Sequence, residues 1–175
     1  MLFRSGQLTA RQRAYAFTQS SRRLLETLGL WNGVEPLLVP FRSLRLLDAA
    51  LQRGLTFLPE DLPQPTRAGS PTPIGWIGRH APLMEHLLEK LERHPAISLH
   101  LGGSLPAAAI PPPQLVVAAD GPASATRTAL GIGSWGWDYG QHCLTAEVEL
   151  RGSEADQAWE LLRPEGPFAV LPLGN

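Results

Sequence analysis

The 175-residue sequence predicts an α/β protein, because amphipathic helical segments alternate along the chain with short apolar segments typical of strands. Gly and Pro, 17 residues each, are concentrated in two connectors, residues 59–75 and 102–113. Neither connector is compatible with a long helix or a central strand, since each proline removes a backbone donor and fixes φ. The length alone suggests one domain of ordinary size, long enough to bury its own core.

The composition excludes several classes of function. A net charge of −1, from 15 basic and 16 acidic residues, gives no strong attraction to phosphate backbones, so nucleic acid is not an expected partner. Cys143 is the single cysteine, which excludes an intrachain disulfide and a cysteine-based zinc site. No apolar run reaches the ~20 residues of a membrane span, and no signal peptide opens the sequence. We therefore predict a cytoplasmic protein, with peripheral membrane contact left open.

Leucine spacing predicts the helices. Residues 19–28 have Ser20 or Ser21 as N-cap, Gly29 as a C-terminal stop, and a stripe of Leu24, Leu25 and Leu28. Residues 82–93 begin with Pro82, which suits a first helical turn, and have one face of Leu83, Leu87, Leu88 and Leu91. Weaker patterns predict helices over residues 125–130 and 154–163.

Apolar runs and alternation predict the strands. Residues 96–101 and 168–173 are typical of short strands, and residues 115–119 (LVVAA) are typical of a strand buried on both faces. Residues 143–150 alternate between apolar and polar side chains, which predicts a strand with one solvent-exposed face. Helices and strands in this order complete the α/β assignment.

The most informative stretch for function is 115–127, LVVAADGPASATR. The predicted strand places Asp120 at its carboxyl end, where ligands bind in open α/β sheets, and Gly121 permits a tight turn and close approach of a ligand. A carboxylate there accepts hydrogen bonds from sugar hydroxyls, while the helix N-terminus after Ser124 and the Arg127 guanidinium favour a phosphate. The same residues fit an ordinary strand–turn–helix junction equally well, with Asp120 in the turn and Ser124 as the N-cap.

Other motifs point away from alternative chemistries. A literal G-x-G-x-x-G over residues 131–136 follows a helix and precedes a strand-like segment, so it predicts a glycine-rich connector rather than a nucleotide-binding turn. His142 and Cys143 are adjacent on a predicted strand and would face opposite sides, which excludes a nucleophile pair. No recognised metal-ligand spacing joins the histidines, which are His80, His86, His94, His100 and His142.

The sequence also predicts the environments of two histidines and of the tryptophans. His86 and His94 are predicted to lie at the solvent-exposed side or end of the second leucine-rich helix. The tryptophans are far apart in sequence and lack runs of basic neighbours, which favours core or substrate-pocket positions over platforms for bases. They are Trp31, Trp76, Trp135, Trp137 and Trp159.

The pattern Asp120-Gly121-x-x-Ser124-x-x-Arg127 resembles the "DG" motif of the single-component flavin-dependent aromatic hydroxylases. Residues 13–31 resemble the segment that follows the first Rossmann unit of that family, an arginine followed by a serine and a leucine-rich helix. Residues 139–141 (YGQ) and 166–173 (GPFAVLPL) resemble substrate-domain strands of the ubiquinone-biosynthesis branch. Residues 74–87 are similar to that branch's strand and following helix, and all these blocks occur in the family's order.

This resemblance implies an enzyme that binds FAD, takes hydride from NAD(P)H and inserts one oxygen atom of O2 into an aromatic or prenylated phenolic substrate. It implies that Asp120 and Gly121 lie near the ribityl–pyrophosphate region of the flavin, with Ser124 in the same motif. Arg127 would hold the motif helix or a phosphate, and Arg13 would approach the pyrophosphate. Leu171 and Pro172 would line the substrate side. No residue is assigned a catalytic or metal-binding role.

The sequence also departs from the family pattern. Residues 1–10 contain no glycine-rich turn for the ADP half of FAD, no Gly-Asp block follows, and an Arg79-His80 pair occupies positions where the branch often has an acid and Asn. We therefore expect residues 1–131 to form an incomplete, Rossmann-like FAD-binding domain and residues 132–175 to begin an antiparallel substrate domain. We expect this chain alone to be inactive. We also expect it to bind FAD more weakly, by about 10³-fold or more, than an enzyme that has the ADP-half contacts, since these contacts are worth several kcal/mol.

An alternative class remains open. The chain could be a non-enzymatic remnant, or one half of a split protein that acts as an interaction module and binds a complementary chain carrying the missing segments. Uncovered apolar sheet edges would favour this alternative.

Overall fold

The computed structural model describes residues 12–62, 72–101, 114–152 and 154–174. The strands are β1 (Ala14–Thr18), β2 (Leu38–Phe41), β3 (Ser43–Asp48), β4 (Arg53–Phe57), β5 (Gly75–Arg79), β6 (Gln157–Leu162) and β7 (Phe168–Val170). The helices are α1 (Gln19–Thr27), α2 (Trp31–Val34), α3 (His80–Glu92) and α4 (Ala125–Ala129), with short 3₁₀ turns at Glu35–Leu37 and Pro59–Asp61. Predictions that concern residues 1–11, 63–71 and 102–113 lie outside the described residues.

The first sheet has the order β1-β5-β2, and both pairs are antiparallel. Its central strand β5 pairs Gly75 through Arg79 with β1, in a register that places Arg79 opposite Ala14. Pro40 is tolerated in β2 because β2 is an edge strand. The α3 helix starts directly after β5, so the sheet fixes the position of its first turn.

The second sheet has the order β4-β3-β6-β7 and contains one parallel pair, β3 with β6. A bend at Arg42 carries the chain from β2 in the first sheet to β3 in the second, and the Arg42 and Ser43 amides both donate to the Asp156 carbonyl. Strands from distant parts of the sequence are thereby held side by side.

Two buried clusters meet at β5, whose side chains alternate between its two faces. Trp76 belongs to the first cluster, with Trp31, Val34, Leu38 and Leu83. Ile77 belongs to the second, with Phe41 and Ala158. Because β5 is covered on both faces, its residues from Gly75 to Gly78 are buried. This strand is therefore the element that joins the two packed parts of the protein.

Three predicted helices are confirmed. The helix predicted over residues 19–28 is α1. The predicted N-cap, Ser20 or Ser21, is wrong, because the helix begins at Gln19 and the Thr18 hydroxyl caps it by accepting the Ser21 amide at 3.3 Å. The helix predicted over residues 82–93 is α3, which begins two residues earlier than Pro82. The helix predicted over residues 125–130 is α4, with Ser124 as its N-cap, as expected. The strand and helix predicted across residues 74–87 are also present, as β5 and α3.

Several strand predictions are wrong. Residues 96–101, 115–119 and 143–150 are irregular, and Leu115 and Leu144 are 78% and 92% exposed. An apolar or alternating run becomes a strand only when neighbouring strands accept its backbone hydrogen bonds, and within the described residues none pairs with these segments. Of the strand predicted over residues 168–173, the first three residues form β7.

The helix predicted over residues 154–163 is also wrong, because residues 157–162 form β6. Parallel pairing with β3 and antiparallel pairing with β7 override the local helical pattern. In this arrangement Ala158 is fully buried in the second cluster, and Trp159 packs against Phe168 with ring centroids 5.6 Å apart.

The mixture of helices and sheets confirms the α/β class in its general form. The partial Rossmann-like domain is not confirmed, because the first sheet is antiparallel and the second has one parallel pair among the described strands. The division at residues 131 and 132 stays a prediction. Residues 43–57 nevertheless share a sheet with residues 157–170, so any division must place these segments together.

Two side-chain predictions need correction. Trp31 and Trp76 are buried, as expected, but Trp135 and Trp137 are exposed because their segment is irregular and uncovered. His86 is not on an open face. Its Nε2 atom is buried against Gly33 of α2 and has no hydrogen-bond partner among the described residues. In the described part of the chain, no helix is both long and apolar enough to cross a bilayer.

Candidate functional site

Asp120, Gly121, Ser124 and Arg127 form one compact cluster, which we call the DG cluster. The Ser124 hydroxyl donates to one Asp120 carboxylate oxygen, and the Thr126 amide donates to the other at 3.1 Å. The same Ser124 hydroxyl oxygen accepts the Arg127 amide at 2.9 Å, which makes Ser124 the N-cap of α4. The predicted motif residues are therefore brought together, although not at the end of a strand.

Local hydrogen bonds set the charge of this cluster. The bond from the Ser124 hydroxyl, followed by the bond from the Thr126 amide, holds the pKa of Asp120 well below its ordinary value. Asp120 is therefore ionised at neutral pH. Its negative charge lies at the N-terminal end of α4, where the helix dipole stabilises it.

The cluster retains the capacity to bind a ligand. An ionised carboxylate offers about four lone-pair sites. The Ser124 hydroxyl and the Thr126 amide have the largest effects on the Asp120 pKa, with smaller ones from the Asp120 amide and the Thr126 hydroxyl, so a ligand hydroxyl would replace one of the weaker interactions. Gly121 has φ of +95°, and no described residue has an atom within 4 Å of the place where a side-chain Cβ would be, so a ligand could approach the backbone there. Arg127 donates to the Pro122 carbonyl at 3.0 Å through one of its five N–H groups. This donor and acceptor set fits the hydroxyl and phosphate groups of a nucleotide cofactor.

Arg13 lies at a second place, a cleft of about 210 Å³ at the junction of β5 and α3. The β1–β5 register brings Arg13 there, since its carbonyl accepts the His80 amide at 2.8 Å. The DG-cluster residues do not line this cleft. The cleft is lined by Gln12, Arg13, Ala14, Arg79, His80, Ala81, Pro82, Thr145, Ala146, Glu147 and Leu173.

Leu171 and Pro172, which the resemblance assigns to the substrate side, directly precede the cleft residue Leu173. Leu171 is exposed and Pro172 is half-buried. The Leu173 carbonyl accepts a hydrogen bond from Arg79 Nη1 at 3.0 Å. The C-terminal segment after β7 is thereby tied to the carboxyl end of β5.

Sequence reasoning missed the interactions that shape the cleft. The Tyr15 hydroxyl lies 2.7 Å from Nδ1 of the buried His80, and Arg79 forms an ion pair with Glu147. These partners are 65 and 68 residues apart in the chain, so no local pattern indicates them. The departure at Arg79-His80 was the one available signal that this junction differs from the family pattern.

Tyr15 also lines a separate apolar cavity of about 240 Å³ between β1, α1, α2 and α3. The hydrogen bond between Tyr15 and His80 therefore lies between this cavity and the cleft. The other residues of the apolar cavity are Phe17, Leu25, Val34, Leu83, Met84 and Leu87.

Sequence comparisons find relatives that match nearly the whole chain. The 3-demethoxyubiquinol 3-hydroxylase of Escherichia coli is 29% identical over 176 residues, covering 92% of this chain and 43% of the relative. The ubiquinone hydroxylase UbiL of Rhodospirillum rubrum is 29% identical over 178 residues, covering 93% and 40%. The mitochondrial ubiquinone biosynthesis monooxygenase COQ6 of Xenopus tropicalis is 25% identical over 191 residues, covering 93% and 39%. No family model matches the chain.

The relatives are named as hydroxylases and a monooxygenase, which confirms the resemblance to the hydroxylase class. More narrowly, the chain is a relative of the ubiquinone-biosynthesis hydroxylases. It spans about two-fifths of the length of these relatives. The relationship holds although the buried strand expected before Asp120 is not formed, so it rests on the sequence match rather than on that strand.

Proposed function

We propose that this chain contributes part of the active site of an FAD-dependent monooxygenase that hydroxylates an aromatic ring in ubiquinone-like quinone biosynthesis. NAD(P)H and O2 would be the co-substrates, and the substrate would be a small aromatic or prenylated phenolic compound. The observation that carries the proposal is similarity, over more than nine-tenths of the chain, to proteins named as hydroxylases or monooxygenases of this pathway.

The DG cluster would hold part of the flavin. Asp120 would accept ribityl hydroxyls, Gly121 would allow the chain to lie close to them, and Arg127 would face a phosphate. Ser124 would act indirectly, by orienting the Asp120 carboxylate and capping α4. Bound flavin supplies the redox chemistry, and the protein positions it and excludes water.

Three further assignments belong to the same proposal. Arg13 would approach the flavin pyrophosphate, and Leu171 and Pro172 would line the substrate side. The FAD-binding part would lie mainly in residues 1–131 and the substrate domain would begin at residue 132, with residues 43–57 contributing to its sheet. Location in the cytoplasm, with peripheral contact to a membrane that supplies a prenylated substrate, would suit this chemistry.

FAD titration of the purified chain tests the proposal at Asp120. The variants are Asp120→Asn and, as a matched control, Asp48→Asn. Asp48 also accepts two backbone amides in a turn, from Ala50 and Leu51 at 2.9 Å each, but it is not part of the motif. Quenching of FAD fluorescence would be followed up to about 1 mM FAD, which corresponds to binding of about −4 kcal/mol.

We expect weak, saturable FAD binding by the unmodified chain and by D48N, and at least about tenfold weaker binding by D120N, because a charged acceptor is lost. Equal binding by all three proteins, or no saturable binding, would contradict the assignment of the DG cluster. A chain that purifies yellow with stoichiometric flavin would contradict the expectation that binding is weak.

A second candidate function, an interaction module, is favoured by the exposed apolar side chains of residues 115–150. Leu115, Val117 and Trp135 are 78%, 75% and 86% exposed. Single exposed apolar side chains are common on protein surfaces, but many of them in one segment are typical of an interaction site. Such a segment would be covered by a complementary chain. Light scattering after size-exclusion chromatography, with and without a chain carrying the remaining length of the Escherichia coli relative, distinguishes the candidates. Association that restores flavin binding favours the enzyme, and association without flavin binding favours the module.

A further inference from the structure

The cleft at the β5–α3 junction is lined by both apolar and charged residues. Ala14, Ala81, Pro82 and Leu173 contribute apolar surface, whereas Arg13, Arg79 and Glu147 contribute two positive charges and one negative charge. The first turn of α3 borders the cleft and contains no acidic residue. The lining is therefore net positive and best suited to a molecule with an apolar body and one negative charge.

Arg79 is already oriented for such a molecule. Its Nη1 atom donates to the Leu173 carbonyl at 3.0 Å, and its Nη2 atom donates to the Glu147 carboxylate. A backbone carbonyl on one nitrogen fixes the guanidinium plane, so that the other nitrogen presents its hydrogens to a carboxylate. The Glu147 carboxylate therefore occupies the position to which Arg79 Nη2 points.

The ion pair with Glu147 is easily exchanged. The Arg79 and Glu147 side chains are 46% and 64% exposed, and Glu147 belongs to an irregular, exposed segment. Exposed ion pairs contribute little net stability, since water competes for both charges. A carboxylate from another molecule can therefore replace that of Glu147 without disturbing either buried cluster.

We propose that this cleft binds a small carboxylate-bearing molecule with an apolar body, and that Glu147 occupies the carboxylate position until the molecule displaces it. The volume of about 210 Å³ equals roughly seven water molecules at about 30 Å³ each, which is enough space for a body of one small ring. The cleft is separate from the DG cluster, so the proposal does not depend on the role of that cluster. Arg13 lines the cleft and is the one residue that this proposal shares with the proposed flavin site.

Fluorine NMR of 4-fluorobenzoate, titrated into the purified chain, tests the proposal. 4-Fluorobenzamide has the same ring without the charge, and acetate and inorganic phosphate, added as competitors, have charge without the ring. The variants are Glu147→Gln and Arg79→Gln. Glu165→Gln is the matched control, because Glu165 pairs with Arg163 at 3.2 Å with similar exposures of 69% and 47% but lies outside the cleft.

We expect E147Q to bind 4-fluorobenzoate about two- to fivefold more tightly, since the competing carboxylate is removed. E165Q should bind like the unmodified chain, and R79Q at least about tenfold more weakly. The benzamide should bind more weakly than the benzoate, and acetate and phosphate should displace the benzoate poorly. Weaker binding by R79Q could also result from partial unfolding, whereas tighter binding by E147Q could not. The E147Q variant therefore tests the proposal independently of whether R79Q folds correctly.

Several results would overturn the proposal. Unchanged or weaker binding by E147Q would show that Glu147 does not occupy the ligand position. Equal binding of the benzamide, or efficient displacement by phosphate or acetate, would show that the cleft does not recognise a carboxylate on an apolar body. Absence of binding to both the unmodified chain and E147Q would show that the cleft is not a ligand site.

Discussion

Substitution of Gly78 by alanine should destabilise the protein, because β5 is packed on both faces at this position. An added Cβ would lie 2.5 Å from Leu38 Cδ2, 2.7 Å from Leu83 Cδ1 and 3.2 Å from Phe17 Cε2. All three neighbours are side-chain atoms in or against the first cluster, so they can move only by disturbing that cluster. Overpacking of this kind costs about 1–3 kcal/mol, and the alanine regains about 0.5–1 kcal/mol of strand propensity.

The net expectation for G78A is therefore a loss of about 1–2 kcal/mol in the free energy of unfolding. Gly75→Ala should cost more, because its added Cβ would lie 2.7 Å from the Phe17 carbonyl oxygen, a backbone atom held by the β1–β5 pairing. Gly133→Ala is the control. No described residue has an atom within 4 Å of its added Cβ, and its φ is not positive, so Gly133→Ala should be neutral or stabilise the protein by up to about 1 kcal/mol.

Urea unfolding followed by tryptophan fluorescence measures this series, and thermal unfolding should show a decrease of about 2–8 °C in Tm for G78A. A Leu83→Val substitution in the G78A background should recover part of the loss, since it removes atoms from the crowded position. A G78A protein as stable as the unmodified chain, or a G75A protein more stable than G78A, would refute the packing around β5.

Three other predictions concern single side chains. Because the pKa of Asp120 is lowered, its carboxylate stabilises the folded state fully above pH 3.8, the ordinary pKa, and this contribution is lost as the pH falls further. Asp120→Asn should therefore reduce the dependence of stability on pH below pH 3.8, as measured by urea unfolding. Arg22→Ala should lower the free energy of unfolding by about 1 kcal/mol and alter tryptophan emission, because the guanidinium lies 5.6 Å from the Trp31 ring centroid and 5.9 Å from that of Trp76. Arg23→Ala is the control and should change neither the stability nor the emission. His86→Leu should stabilise the protein by about 1 kcal/mol, since it removes a buried nitrogen that has no hydrogen-bond partner among the described residues. His94→Leu, at an exposed position, is the control, and a Tm of His86→Leu equal to or below that of His94→Leu would contradict this prediction.

Local signals were sufficient where a segment's structure depends on its own residues. The leucine face and Pro82 predicted α3, and the hydroxyl of Ser124 predicted the cap of α4. They failed where structure depends on partners. Residues 115–119 have the composition of a buried strand, but composition does not specify which strands will flank it, and residues 157–162 combine a helical pattern with a position beside β3.

The same distinction explains the candidate site. The DG cluster lies within eight consecutive residues, so its members could be named from the sequence and are found in contact. The cleft is assembled from segments around residues 12–14, 79–82, 145–147 and 173, which only the β1–β5 register and the bonds of Arg79 bring together. Arg13 was named from the resemblance, but its neighbours could not be.

The position of β5 determines which side of the cleft can change. Arg79 ends the strand that carries Trp76 into one cluster and Ile77 into the other, and its backbone is paired with Ala14. Moving Arg79 would disturb that pairing, whereas Glu147 belongs to a segment with exposed side chains and no strand pairing among the described residues. An incoming anion therefore encounters a fixed cation and a replaceable carboxylate. This asymmetry is why substitution of Glu147, rather than of Arg79, is the change expected to increase affinity.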